Sequence, residues 1–309
     1  MWDEEVDVVC VGGAVGALAS ALVAVDAGAE VFIATAPRPI ADEVMAPPPS
    51  HLERGWLTHA PDEDETRDYF TALSDDLARL DPVAGDLELP TRVVRAQTPD
   101  ERDGRWVEPF YGGRLRNWAS ECLRSPYGLL HSRVSDWQTT TMRTLSGRAI
   151  EVKPLGAVAT AATAAPSLAD WLAGQARDRR IRVRDGVALE RVVFEDGEVA
   201  GVVVDSIDGP FAVRARHGVT IAPADGHALA AGERPLHGYD GYAQLCLVSQ
   251  SASRFARLEL LNTGTALPER ALICQSVNRQ LRHTPRDGRA LRSDAGRGRE
   301  MHRYPPAGQ

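Results

Sequence analysis

Between Val6 and Val11 the chain runs VDVVCV, a β-branched and nearly unbroken apolar stretch. Such a run predicts a parallel strand covered on both faces. Gly12, Gly13 and Gly16 follow, then an Ala-, Leu- and Val-rich run to about Ala27 that predicts a helix over 14–27. Gly28 is placed to stop it. Glu30 to Ala34 contains the next strand, so residues 6–35 read as a strand–helix–strand unit with its first two strands parallel.

Further along, Thr66 to about Leu80 carries Tyr69, Phe70, Leu73 and Leu77 at helical spacing, behind the acidic run Asp62–Glu65. A short helix is predicted at Asn117–Leu123. Another is predicted from Leu168 to about Arg179, with Ser167 as its cap and Asp170 three residues on. From 181 to 222 strand signals repeat: Ile181–Val183, Val187–Phe194, Val199–Val204, Phe211–Ala215 and Gly218–Ala222. Asp196-Gly197 and Asp208-Gly209 mark the turns. Tyr242–Val248, Ala256–Leu261 and Ala271–Val277 are further apolar elements. Periodicity ends after Arg279, and 284–309 reads as a disordered, arginine-rich tail.

The glycines between the first strand and helix carry the candidate chemistry. Gly12 and Gly13 allow a tight turn and a close approach to backbone, and Gly16 allows the helix to lie on the sheet. The first helical N–H groups then face a pyrophosphate. The spacing is G-G-x-x-G, one residue short of the usual G-x-G-x-x-G. The acid expected at the end of the second strand, where ribose hydroxyls bind, is absent, and Ala34 and Thr35 stand there.

Composition narrows the function. The 309 residues carry a net charge of −8, which argues against nucleic acid as the main partner. Lys153 is the only lysine, so amine chemistry would have to rest on it. Cys10, Cys122, Cys246 and Cys274 form no CxxC pair and have no metal-site spacing, so no metal is expected. The wide cysteine spacing and the lack of a basic-then-apolar leader predict a cytoplasmic protein. The apolar stretch 6–25 is interrupted by Asp7 and glycines, so no membrane span is expected.

Residues 91–150 mix aromatic residues and arginines, among them Trp118, Tyr127, Trp137, Arg114 and Arg116. They form either a pocket or a core fringed by arginine stems. If a pocket, Tyr111, Arg114 and Tyr127 are the candidates for proton donation or for orienting a carbonyl.

DVVCVGGAVGALASALVAVDAGAEVFIA near the start, SLADWLAGQARDRRIRVRDGVALERVVFEDGEVAGVVVD and ARHGVTIA later are together similar to one family. The chain resembles the FAD-dependent fumarate reductase, succinate dehydrogenase and 3-ketosteroid dehydrogenase flavoproteins. The resemblance implies a Rossmann-like FAD-binding α/β fold with a parallel central sheet, an accessory β-hairpin region and a smaller cap-like region. It implies FAD on Gly12, Gly13 and Gly16, with Val187 touching the adenine side through backbone.

On this reading 1–90 and 151–230 build the FAD-binding domain, 91–150 a cap-like or substrate-side region, and 231–283 the C-terminal part of the fold. The function implied is hydride transfer between a small organic substrate and flavin N5. The alternative is a non-catalytic or vestigial partner subunit, and homo- or hetero-oligomeric assembly suits either. Where the family has A-T-G-G after the last of these strands, this chain has Ala222-Pro223-Ala224-Asp225-Gly226, and weakened or lost FAD binding is expected.

Overall fold

The computed structural model describes residues 1–36, 63–74, 77, 89–104, 113–134, 138–159, 167–223 and 242–262. The first strand, β1 (Glu4–Gly12), leads through Gly13 into helix α1 (Ala14–Asp26) and returns as β2 (Val31–Thr35). β1 and β2 are parallel, with Val9 opposite Phe32 and Val11 opposite Ala34. Every α1 residue from Val15 to Ala24 is buried, as suits a helix that is apolar all round. It packs on β1, β2 and β10 (Gly209–Ala222), and on helix α5 (Leu168–Asp178). Gly28 ends it in the left-handed region at φ +88°, its N–H donating to the Val25 carbonyl.

α5 starts at Ser167, whose side chain accepts from the Asp170 N–H. Beyond α5, Arg179 grips Asp26 at the end of α1 with two bonds of 2.8 and 3.0 Å. β7 (Arg184–Asp185) adds in parallel to β2. β8 (Ala188–Glu195), β9 (Glu198–Ser206) and β10 then form an antiparallel meander. Its first turn is Asp196-Gly197, both at positive φ (53° and 79°), the geometry two-residue hairpins favour. β10 is one strand where the pattern suggested two. Its register against β1 slips between Val6–Ala215 and Val8–Gly218, so Asp7 faces the bulge at Arg216 and His217.

The sheet as a whole overturns the expected Rossmann-like architecture with a parallel central sheet. The parallel pairings among β10, β1, β2 and β7 are one edge of a larger, mixed sheet dominated by antiparallel pairs. β3 (Thr91–Ala96), β5 (Thr140–Thr144), β6 (Ala149–Ala159), β11 (Tyr242–Ser249) and β12 (Phe255–Asn262) make the other part. β11 pairs with both β6 and β12, which closes these five strands into a barrel in the order β11-β6-β5-β3-β12. β4 (Gly128–His131) is antiparallel to both β12 and β10 and joins the barrel to the parallel edge.

The physical reason for the difference is closure. An open sheet leaves two edges of unpaired N–H and C=O groups, and β11 satisfies one by turning back onto β12. The smaller helices lie outside this sheet: α2 (Asp64–Ser74) beside β8, α3 (Pro99–Arg102), and α4 (Arg114–Arg124) against β4 and β12. The sequence elements at 75–76, 78–80, 271–277 and 284–309 lie outside the described residues.

Candidate functional site

The ends of β10, β1 and β2 bring the glycine turn together. Gly12 has φ +110°, and a Cβ there would stand 2.0 Å from the Ala222 carbonyl oxygen. A Cβ on Gly16 would stand 2.5 Å from the Ala222 Cβ and 2.9 Å from Leu129 Cδ2. Both positions therefore need glycine for packing, Gly12 strand against strand and Gly16 helix against sheet. Gly13 is different: it is the cap residue of α1 with extended backbone (φ −61°, ψ 142°), a conformation open to any residue. Gly13 has no side chain with which to cap α1, and the first turn holds no acid. Ala17 is the first residue whose N–H bonds back within the turn, to the Gly13 carbonyl at 3.0 Å.

Pro223, the residue that departs from the resembled pattern, has a structural task here. Its carbonyl accepts the Gly13 N–H at 3.1 Å. One backbone donor that a pyrophosphate would use is thus already taken by the chain. Asp225 and Gly226 lie outside the described residues.

At the end of β2 the structure rearranges the expected ribose contacts. Ala34 is fully buried. A glutamate there would enter the core rather than reach a ribose, so Ala34→Glu is expected to cost at least about 2 kcal/mol. Urea denaturation of the variant measures this; unchanged stability would place position 34 at the surface. The next residue, Thr35, donates its Oγ1 to Asp185 Oδ1 on β7 at 2.8 Å. The carboxylate at this end of β2 therefore comes from β7, a residue that reasoning along β2 alone misses. Val187 sits beside it, its N–H donating to the Thr35 carbonyl at 2.9 Å.

FAD fits this arrangement in part. The start of α1 is acid-free with glycine at its cap, and Asp185 and Val187 stand at the end of β2. The Gly13 N–H and the space over Gly12 are used by the protein itself.

Arg114 and Tyr127 fall elsewhere. Arg114 donates Nη2 to the Ala149 carbonyl at 2.9 Å and so ties α4 to β6. Tyr127 packs on the main core cluster, and its carbonyl accepts the Leu258 N–H. Tyr111 lies outside the described residues. Trp118, from the same aromatic region, is core: it is 1% exposed, donates to the Phe255 carbonyl and lies 5.0 Å under the Arg257 guanidinium.

Two cavities open on other parts of the sheet. One of about 480 Å³ is lined by Asp7, Val8, Gly28, Arg133, His217 and Gly218. The other, of about 380 Å³, includes Glu151, Lys153, Ser249 and Gln250. His131 and Val134 line both, and neither cavity includes Gly12, Gly13 or Gly16. His131 is buried, and its Nδ1 shares a 2.9 Å hydrogen bond with Thr220 Oγ1, which also accepts from Ser20 Oγ at 3.0 Å. Burial pushes the His131 pKa down to about 4, so the ring is neutral at pH 7.

Burial also pushes the Cys10 thiol up to about 12 and the Cys122 thiol upward, which leaves neither as a nucleophile. Among the described residues no cluster of His, Cys, Asp and Glu suits a metal ion, and no helix is long and apolar enough to cross a membrane.

No protein-family model matches the chain, and no curated protein matches it. Among solved structures, the open conformation of a flavocytochrome c3 fumarate reductase is similar at 16% identity and a TM-score of 0.27, over 69% of this chain and 33% of that one. The 3-ketosteroid-Δ4-(5α)-dehydrogenase of Rhodococcus jostii RHA1 is similar at 18% identity and a TM-score of 0.28, over 71% of this chain and 46% of that one. A geranylgeranyl bacteriochlorophyll reductase-like protein of Thermoplasma acidophilum matches at 12% identity and a TM-score of 0.26, over 91% and 62%. The chain thus spans between a third and two thirds of these proteins' lengths. The similarity to these oxidoreductases is distant and partial, and it singles out no specific family.

Proposed function

We propose that the chain binds FAD at the start of α1, weakly, and serves a flavin-dependent oxidoreductase reaction on a small organic substrate. One observation carries this reading. An acid-free helix start with glycine at its cap faces the C-terminal ends of three parallel strands, with a carboxylate held at the end of the second. Such an end presents backbone N–H groups and the positive pole of the helix to an anion. Bound flavin would supply the hydride chemistry, and the protein would supply binding and orientation. The start of α1 holds the pyrophosphate, Asp185 takes a ribose hydroxyl, and the Val187 backbone lies beside the adenine.

The Gly13–Pro223 bond favours a second reading, a non-catalytic protein on which the site has lapsed. The two separate by titration with FAD. Asp185→Asn keeps the size of the side chain but removes the charge from the acceptor, and it is expected to weaken binding about tenfold. Equal affinity in native and variant chains would remove Asp185 from the site, and absence of binding in both would leave the lapsed reading.

A further inference from the structure

The 380 Å³ cavity is independent of the glycine turn, and its lining has a chemistry of its own. On antiparallel β6 and β11, Lys153 pairs with Leu247 and Glu151 with Ser249, so alternate residues bring these four to one face. The turn after β11 adds Gln250 and Ser253, and β4 adds His131.

Two of these side chains are left in an unusual condition. Lys153 is the chain's only lysine and is 7% exposed. Its Nζ donates to the Gln138 carbonyl at 3.1 Å, and no carboxylate pairs with it among the described residues. Burial lowers its pKa, and the charge of Asp26 only partly offsets that loss of water. Gln250 is 4% exposed, and neither its Oε1 nor its Nε2 has a hydrogen-bond partner. Its backbone carbonyl is fixed by the Ser253 N–H, so the turn holds the residue in place. A buried amide with both ends unsatisfied is rare and costly in a native fold, and a polar ligand removes the cost. Glu151 completes the set, its Oε2 accepting from Thr139 Oγ1 at 2.6 Å.

We infer that this cavity is a binding site for a small zwitterionic amino acid. The carboxylate of the ligand lies toward the Lys153 ammonium and accepts from Gln250 Nε2. Its ammonium donates to Gln250 Oε1 and lies toward the Glu151 carboxylate. Among the described residues the lining carries one cation, one anion and a neutral histidine, which matches a zwitterion better than a net anion. The volume is within the range of small-molecule sites.

The single lysine makes the test clean. Protein labelled with ¹³C at lysine Cε gives one lysine resonance, and it reports this cavity alone. Titration with L-alanine is expected to shift that resonance saturably, with L-lactate, which lacks the ammonium, binding more weakly. Gln250→Leu and Gln250→Glu, each verified as folded by thermal melting, are expected to weaken L-alanine binding at least about tenfold. Gly13→Asp, in the glycine turn, should leave it unchanged. No saturable shift with L-alanine, or equal affinity in native and both Gln250 variants, would overturn the proposal.

Discussion

Replacing Glu259 with alanine is expected to lower stability by about 3–5 kcal/mol, the largest effect of any single change considered for this chain. Glu259 lies on β12 and is fully buried. Its carboxylate receives Arg92 from β3 through bonds of 2.7 and 2.9 Å, and Arg257 through one of 2.7 Å. Arg257 also reaches Glu121 on α4 at 3.4 Å and lies over Trp118. One acid therefore ties two barrel strands and a helix together. Alanine there leaves two guanidinium groups, 11% and 23% exposed, without their main counter-charge. Guanidinium or urea denaturation measures the loss. Changing all three residues to apolar ones of similar size should recover much of it, because no unpaired charge then remains. A loss below about 1 kcal/mol in Glu259→Ala would mean that water reaches the network.

The second large effect is a pH dependence centred on His131. Its pKa is about 4 in the folded chain against 6.5 for an unperturbed histidine. Between those values the unfolded chain binds a proton that the folded chain does not, so stability rises with pH across the window. Acidification from pH 6.5 to 4 should remove about 3 kcal/mol, and the loss from this group should stop below pH 4. The hydroxyls hydrogen-bonded in line with the ring, Thr220 and Ser20, do not titrate in this range. Carboxylates with depressed values, such as Glu101 at about 2 beside Arg95, add their own loss at lower pH. The difference between native chain and His131→Asn isolates the histidine. Equal pH profiles for the two would show that His131 is exposed to solvent.

Local patterns made the first part of the fold legible. The VDVVCV run, the alanine-rich helix and the Asp196-Gly197 turn each carry their signal within a few residues. The barrel had no such signal. β11 meets β6 about ninety residues earlier in the chain, and TRVVRA of β3 is half polar and reads as a weak strand. The inference of an open parallel sheet failed because sequence shows the run of a strand and not its partner.

The site was legible in the same uneven way. The need for glycine at 16 comes from Ala222 and Leu129, and that at 12 from the Ala222 carbonyl, contacts that no local pattern displays. Ala34 was sought as a ribose position, but the strand turns it into the core. Asp185 reaches Thr35 from 150 residues away. His131, Lys153 and Gln250 come from three separate strands or turns, and no spacing links them.

The central claim is that the start of α1 is a dinucleotide site. Quenching of FAD fluorescence on titration with the purified native chain and with Gly13→Asp tests it most directly. The Gly13 backbone accommodates aspartate, which is also a favoured cap, so the variant is expected to remain folded. Its carboxylate would take the N–H groups a pyrophosphate needs and repel the phosphates. Saturable binding by the native chain is expected, weakened at least about a hundredfold in Gly13→Asp. Absence of saturable binding by the native chain, or binding of equal strength in a folded Gly13→Asp, would contradict it.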